Sequence, residues 1–436
     1  MRSSTFLTLM LLATTALAAT PILIRAQATD ETAEALYQEA SNYPRKKQAE
    51  LRSQGRPLDR ETNDRFLREQ RELAARHAAR LAARPNLAGA DFFFLGRLYD
   101  IADRGNEVTK AMRGFLAEKP APAGAAAQLA RYMIVIYGAR GKLFDEAESM
   151  QAEYLRNEPR SPNNLCQMDL ELGVAQTKAK LYDRAVAHAT EAFRSARLLQ
   201  PGPRLTARER DDWIVEAGAT LAEAYTGLKR KEEALAAIVE LYRRALDLPS
   251  ASLYRQLSRR FADREREVEA ALKTLESTGR SAAPELAVAE WIDQQPVKLA
   301  DLRGSVVLLD FWYDWCGPCR AAFPTLKGWH KKYRDKQFMV LGLTELQGQI
   351  AGNKMTVPEE MEYLRKFKQQ HGLPYGFAIG STRANQRVYG VSAYPTAVLI
   401  DRRGVVRHIS IGYSTLEMEN LQGMIEKLLK EPAPTS

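Results

Sequence analysis

Val306-Val307-Leu308-Leu309-Asp310-Phe311-Trp312-Tyr313-Asp314-Trp315-Cys316-Gly317-Pro318-Cys319 decides the fold of the C-terminal third of this chain. Its first seven residues are β-branched, aliphatic or aromatic apart from Asp310, which predicts a buried strand. Two cysteines two residues apart, where such a strand gives way to a helix, form the layout of a dithiol–disulfide exchange site. The first thiol would sit at the helix N-terminus, where unpaired N–H groups and the positive end of the dipole favour thiolate. The second lies a turn further on, near enough to resolve a mixed disulfide. Gly317 and Pro318 close the start of the helix, and proline suits a first turn whose N–H groups have no partner anyway. Cys316 is the expected nucleophile, Cys319 the expected resolving thiol, and Trp315 the expected cover of one side of the site.

The segment resembles the thioredoxin superfamily, and within it the exported TlpA/ResA-like thiol–disulfide oxidoreductases. The resemblance runs from Pro284 to Leu429 and rests on several short matches. Pro284-Glu285-Leu286, Val297-Lys298-Leu299 and Leu302-Arg303-Gly304 match the lead-in to the first core strand. Ala393-Tyr394-Pro395-Thr396, followed by Ala397-Val398-Leu399-Ile400-Asp401, resembles the cis-proline loop and its strand. The resemblance implies that Pro395 faces the cysteines and that the Tyr394 backbone pairs with a substrate strand. Together with Trp315, Gly317 and Pro318, Tyr394 is therefore an expected substrate-binding residue. Asp310, six residues before Cys316, matches the buried acid of thioredoxins and would take a proton from Cys319. It departs from the asparagine of many TlpA-like chains. Glu345, after an expected strand over 338–344, is a second acid within range of the site. Asp314 stands where a small residue is common, so it either raises the Cys316 pKa, repels acidic partners or simply faces water.

A zinc site is not expected, because no second CxxC or CxxH exists and the five histidines are scattered. No cofactor is expected beyond the redox-active Cys316–Cys319 pair. Peroxiredoxins, which place a reactive cysteine at the same point, need proline seven residues before it and threonine three before it. Here Leu309 and Tyr313 occupy those places.

The N-terminus points to export. Arg2 precedes an apolar stretch from Phe6 to Ile24, and Ala26-Gln27-Ala28 offers a small-x-small cleavage site after it. Residues 1–28 are therefore read as a signal peptide, with an uncleaved membrane anchor as the alternative. The expected location is periplasmic or extracellular, where disulfides persist. Only three cysteines are present. The odd one, Cys166, is either a buried small residue or a pairing partner.

Between residues 29 and 276 the sequence is rich in alanine, leucine, arginine and glutamate, which predicts helix throughout. A helix–turn–helix unit recurs, with turns at Arg104-Gly105-Asn106, Arg140-Gly141-Lys142, Lys180-Leu181-Tyr182 and Leu228-Lys229-Arg230. These turns fall roughly 36, 38 and 49 residues apart, a spacing similar to tetratricopeptide repeats. Such an array would present a concave surface for a peptide or protein partner. The net charge of +9 is spread over helical faces with no stacking aromatics, which argues against nucleic acid.

The expected architecture is an all-α, tetratricopeptide-like repeat region followed by an α/β thioredoxin-like fold. Its segments are the signal peptide at 1–28, the helical region at 29–276, a linker at 277–283, the thioredoxin-like domain at 284–430 and a disordered tail at 431–436. The expected function is an exported protein-disulfide reductase. Its partners would be disulfide-containing proteins and a thiol electron donor, with a further peptide or protein partner on the repeats. The alternatives are a redox-sensing scaffold and, behind it, a thiol peroxidase.

Overall fold

The computed structural model describes residues 31–202, 205–274, 280–350 and 352–433. The expected signal peptide, Ser277, Thr278 and Gly279 of the expected linker, and 434–436 of the expected tail lie outside these residues. The chain forms two compact units that divide between Arg230 and Lys231.

The first unit is helical. Its helices are α1 (Ala33–Ser53), α2 (Arg60–Ala82), α3 (Ala90–Ile101), α4 (Gly105–Leu116) and α5 (Gly124–Arg140). They continue as α6 (Phe144–Arg156), α7 (Pro162–Lys178), α8 (Tyr182–Ala196) and α9 (Ala207–Gly227). Side-chain caps start several of them. Thr32, Asp59 and Ser161 each accept a bond from a first-turn N–H, and Thr206 with Glu209 forms a reciprocal capping box.

Four turns share one geometry. Asp103, Lys142, Lys180 and Lys229 all lie in the left-handed region, with φ between 58° and 62°. In each, the next residue's N–H bonds back to a carbonyl five residues earlier, as in Arg104 to Tyr99 (2.9 Å) and Leu181 to Gln176 (2.9 Å). This Schellman closure satisfies carbonyls that the helix end would otherwise orphan. Successive hairpins then pack on one another, α1–α2 on α3, α4 on α5, α5 on α7 and α8 on α9. Polar ties cross the joins. The Tyr137 hydroxyl donates to Asp100 (2.5 Å), and the Arg140 guanidinium grips Glu171 at 2.8 and 3.1 Å. Cys166 is fully buried in α7, and burial pushes its thiol up to about 12, which leaves it inert at neutral pH.

The second unit opens with three helices, α10 (Lys231–Asp247), α11 (Ala251–Arg260) and α12 (Glu265–Thr274). Their composition predicts that they belong to the helical region, ahead of a linker at 277–283; they fold instead with the strands that follow. A mixed sheet is built from β1 (Glu290–Ile292), β2 (Val306–Phe311) and β3 (Phe338–Glu345). After the small hairpin β4 (Gln349–Ile350) and β5 (Asn353–Lys354) come β6 (Gly376–Gly380), β7 (Thr396–Ile400) and β8 (Val406–Ile411). The remaining helices are α13 (Gly317–Tyr333), α14 (Val357–Gln370), α15 (Ala384–Val388) and α16 (Thr415–Lys430). The six-stranded order is β1-β6-β3-β2-β7-β8, with β2, β3 and β6 parallel and the other three antiparallel to their neighbours.

Strand β2 is central and buried along its whole length, which is why its sequence is an unbroken apolar run rather than an alternating one. Its two faces supply two cores. Val306 and Leu308, with Trp312 beyond the strand, pack with Cys319 and Phe323 of α13, Phe367 of α14 and Ile425 of α16. Val307, Leu309 and Phe311 pack on the other side with Leu246 of α10, Ala251 of α11 and Tyr389 after α15. The first helices of this unit therefore cover one face of the sheet. Arg280 reinforces them, bonding Asp247 (2.6 Å) and the Val406 carbonyl (3.0 Å). At the other end, Glu431, first residue of the expected tail, is bound by Arg407 at 2.9 Å.

Candidate dithiol site

The end of β2 and the start of α13 build the site. The apolar run carries the chain out of the sheet's centre, and Cys316 caps the helix that follows, its sulfur accepting the Cys319 N–H at 3.2 Å. The two sulfurs form a disulfide, with the Cα atoms 5.3 Å apart. Gly317 and Pro318 occupy the first two helical positions, and Pro324 sits inside the same helix. Both cysteines are buried, whereas Trp315 is 60 % exposed.

Three aromatic rings stand beside the disulfide. Tyr313 stacks on Trp315 with centroids 4.9 Å apart and planes 14° apart. Tyr394 meets Tyr313 edge-on at 4.6 Å and Trp315 at 6.2 Å. The Tyr394–Pro395 peptide is cis. The loop before β7 is thus brought against the residues that flank Cys316, and the Gly412 N–H holds the Pro395 carbonyl at 2.8 Å.

Asp310 lies opposite Gly342 of β3 and Ala397 of β7. By strand alternation it shares the face of Leu308 and Trp312, the face that packs on Cys319 and Phe323. No hydrogen-bond donor among the described residues reaches its carboxyl, and burial alone pushes its pKa up to about 7.

Glu345 is buried at the end of β3. It accepts a hydrogen bond from the Tyr313 hydroxyl and pairs with Arg383 at 3.5 Å. Arg383 in turn donates to the Tyr394 hydroxyl at 3.2 Å, closing a ring between the approach to Cys316 and the proline loop. Asp314 does not face water. Gln347 donates to one of its oxygens and Tyr363 to the other, each at 3.1 Å. Gln347 also accepts from the Trp315 indole at 3.0 Å, and Glu360 fixes its backbone N–H at 2.6 Å.

The sequence assigns 347–355 no role and gives no sign that Tyr313, Gln347, Glu360, Tyr363 and Arg383 belong to the site. Only the Thr356/Glu359 capping box of α14 is available as a local signal there. The contacts of Glu360 are long-range and leave no pattern in the sequence. Among the described residues, no cluster of His, Cys, Asp or Glu could hold a metal ion, and no helix is long and apolar enough to cross a membrane.

A disulfide at a helix N-terminus, beside a cis-proline loop on a mixed sheet of this order, defines a thioredoxin-fold redox protein. Comparison with known proteins narrows the class. Residues 280–409 match the AhpC/TSA family. The chain is 31% identical over 146 residues to the thiol-disulfide oxidoreductase ResA of Bacillus thuringiensis, covering 34% of this chain and 76% of that one. It is 30% identical over 167 residues to protein DipZ of Mycobacterium tuberculosis, covering 37% of this chain but 22% of DipZ. The crystal structure of a protein described as the thiol:disulfide interchange protein DsbE of Chlorobium tepidum is 34% identical, with 34% of this chain and 96% of that one covered at a TM-score of 0.30. Through this C-terminal third, the chain belongs to the ResA-like family of thiol–disulfide oxidoreductases. It is a thiol–disulfide oxidoreductase whose helical first unit lies outside the 280–409 stretch that matches the family.

Proposed function

We propose that the chain is an exported protein-disulfide reductase whose helical unit binds a protein partner. The observation that carries the reading is the Cys316–Cys319 pair at the start of α13, flanked by Tyr313 and Trp315 that pack on Tyr394 of the cis Tyr394–Pro395 bond, with Asp310 buried in the strand that leads into it. The Cys316 thiolate attacks one sulfur of a substrate disulfide, forming a mixed disulfide and releasing the first substrate thiolate. Cys319 passes its proton to Asp310 and attacks the Cys316 sulfur. The second substrate sulfur leaves as a thiolate and is protonated. Two electrons have moved to the substrate, and the protein carries the Cys316–Cys319 disulfide until a donor dithiol reduces it.

Gly317-Pro318 between the cysteines resembles reducing members of the superfamily, which favours reduction over oxidation. The apolar N-terminal stretch and its small-x-small site support export to the periplasm or beyond. The repeated helical hairpins, with their common turns, support a tetratricopeptide-like partner-binding role.

The deciding measurement is the reduction potential of the pair in the purified protein, with Cys316→Ser as the blank. A value near about −270 mV supports the reductase, and one near about −120 mV would make it a disulfide donor instead. Cys319→Ser should accumulate a mixed disulfide through Cys316 during insulin reduction. A pair that cycles but reduces no substrate disulfide would leave the second reading, a scaffold whose dithiol senses redox state, and a pair that does not cycle at all would leave the helical unit as the functional part. The AhpC/TSA match prompts a peroxide-consumption control, although Leu309 and Tyr313 stand where that chemistry needs proline and threonine.

A further inference from the structure

Helices α10 and α11 meet at Ser250, outside the 280–409 stretch that matches a known family, and their junction touches the chain just before the cis-proline loop. The Ser250 N–H bonds to the Ala245 carbonyl at 2.8 Å, which ties the junction to the end of α10. The next two N–H groups, of Ala251 and Ser252, leave α11 and bond to the carbonyls of Tyr389 (3.0 Å) and Gly390 (2.9 Å). First-turn N–H groups have no partner within their own helix, so here the loop's carbonyls satisfy them.

The fit is close as well as polar. Gly390 has φ +58°, and a Cβ there would lie 2.8 Å from the Ser250 hydroxyl oxygen and 3.0 Å from the Ser250 Cα. Val391, the next residue, is buried in the same core as Ala251, and Tyr394 packs against that core from its rim. Four residues separate Gly390 from Pro395. The far end of this loop is held by Gly412 at the Pro395 carbonyl, and the near end by α11.

We propose that the α10–α11 junction positions the cis-proline loop, so that Ser250 and Ala251, outside the matched oxidoreductase segment, are positioning residues for disulfide exchange. This inference rests on the reading of Tyr394–Pro395 as the substrate-pairing loop. A loop freed at one end samples more conformations, and displacement of a pairing backbone by a fraction of its length costs rate without touching the thiols.

The test uses the full chain and the variant Ala251→Pro. Ala251 is the first residue of α11 and follows an extended Ser250, so proline suits the helix while deleting the N–H that holds Tyr389. Ala251→Gly keeps that N–H and serves as the control. Two quantities are measured, kcat/KM for insulin disulfides with dithiothreitol as donor, and the rate of Cys316 alkylation by iodoacetamide in the reduced protein. Ala251→Pro should lower kcat/KM about tenfold, with the glycine control and all alkylation rates within about twofold of wild type. Equal kcat/KM for the proline and glycine variants, or a parallel fall in alkylation, would overturn the proposal. If Ala251→Pro does not fold, Gly390→Ala presses on Ser250 from the loop side and takes its place. It should lower kcat/KM while leaving alkylation unchanged, and wild-type kcat/KM or a parallel fall in alkylation would again overturn the proposal. A wild type that alkylates but reduces no insulin would overturn the reductase reading instead, and the joint would then be judged on the exchange rate of the same variants with oxidised glutathione.

Discussion

Asp310 accepts no hydrogen bond among the described residues, so only burial acts on its charge, and its pKa rises to about 7. A carboxyl at that value is half ionised at neutral pH, which suits a group that takes a proton from a thiol and returns it. The same displacement has a stability consequence. Below the ordinary aspartate pKa, both folded and unfolded chains hold the proton. Between about 3.9 and about 7 the unfolded chain loses it while the folded chain keeps it, so stability falls as pH rises through that window and then levels off. The full loss is on the order of 4 kcal/mol. Asp310→Asn should abolish this slope, so that urea midpoints at pH 5 and pH 8 differ for wild type in the expected sense and much less for the variant. In the same variant, release of the mixed disulfide by Cys319 should slow about 100-fold, read by quenching a single turnover. A variant with the wild-type slope would show that Asp310 ionises freely and is not the proton acceptor.

At the scale of elements, the first unit depends on turns that use lysine or aspartate where glycine is usual. Lys180 sits at φ 62° between α7 and α8, in a closure whose backbone bonds are the same as at Lys142 and Lys229. A side chain in the left-handed region crowds its own carbonyl, so Lys180→Gly should stabilise the folded chain by about 1 kcal/mol. Thermal melting of the variant checks this, and a drop in Tm would show that the lysine side chain contributes more than its backbone strain costs. The recurrence of these turns is legible because short basic-acidic turns punctuate alanine-rich helices. The expected strand at 338–344 is β3 with one residue more. Strand β2 and the cysteine pair are legible because both are local, an apolar run and a spacing. What is not legible is what depends on distant partners. The aromatic stack on Trp315, the grip of Glu360 on the 347–348 backbone and the Glu345–Arg383–Tyr394 ring lie beyond the reach of any periodicity.

At the scale of the whole molecule, the division after Arg230 changes what counts as the oxidoreductase. Helical composition runs unbroken to Thr274, so sequence alone favours a boundary at the small, polar stretch before Pro284. The physical boundary is set by what each helix buries. Leu246 and Ala251 lie in one core with Val307, Leu309 and Phe311 of the central strand, and Tyr254 of α11 meets His408 of β8 edge-on at 6.2 Å. The Arg280 side chain, 5 % exposed, bridges Asp247 to the Val406 carbonyl. A fragment beginning at residue 284 keeps every residue of the dithiol site, yet it exposes the apolar face that α10 and α11 cover. Each large side chain uncovered costs about 1.5–3 kcal/mol, so the loss is on the order of 5 kcal/mol, enough to consume the stability of a domain this size. A fragment of residues 231–436 should therefore unfold in one cooperative transition, whereas 284–436 should bind a hydrophobic dye and melt well below it. Equal melting temperatures for the two fragments would mean that α10 to α12 merely rest on the sheet, and that the oxidoreductase fold begins where its sequence resemblance begins.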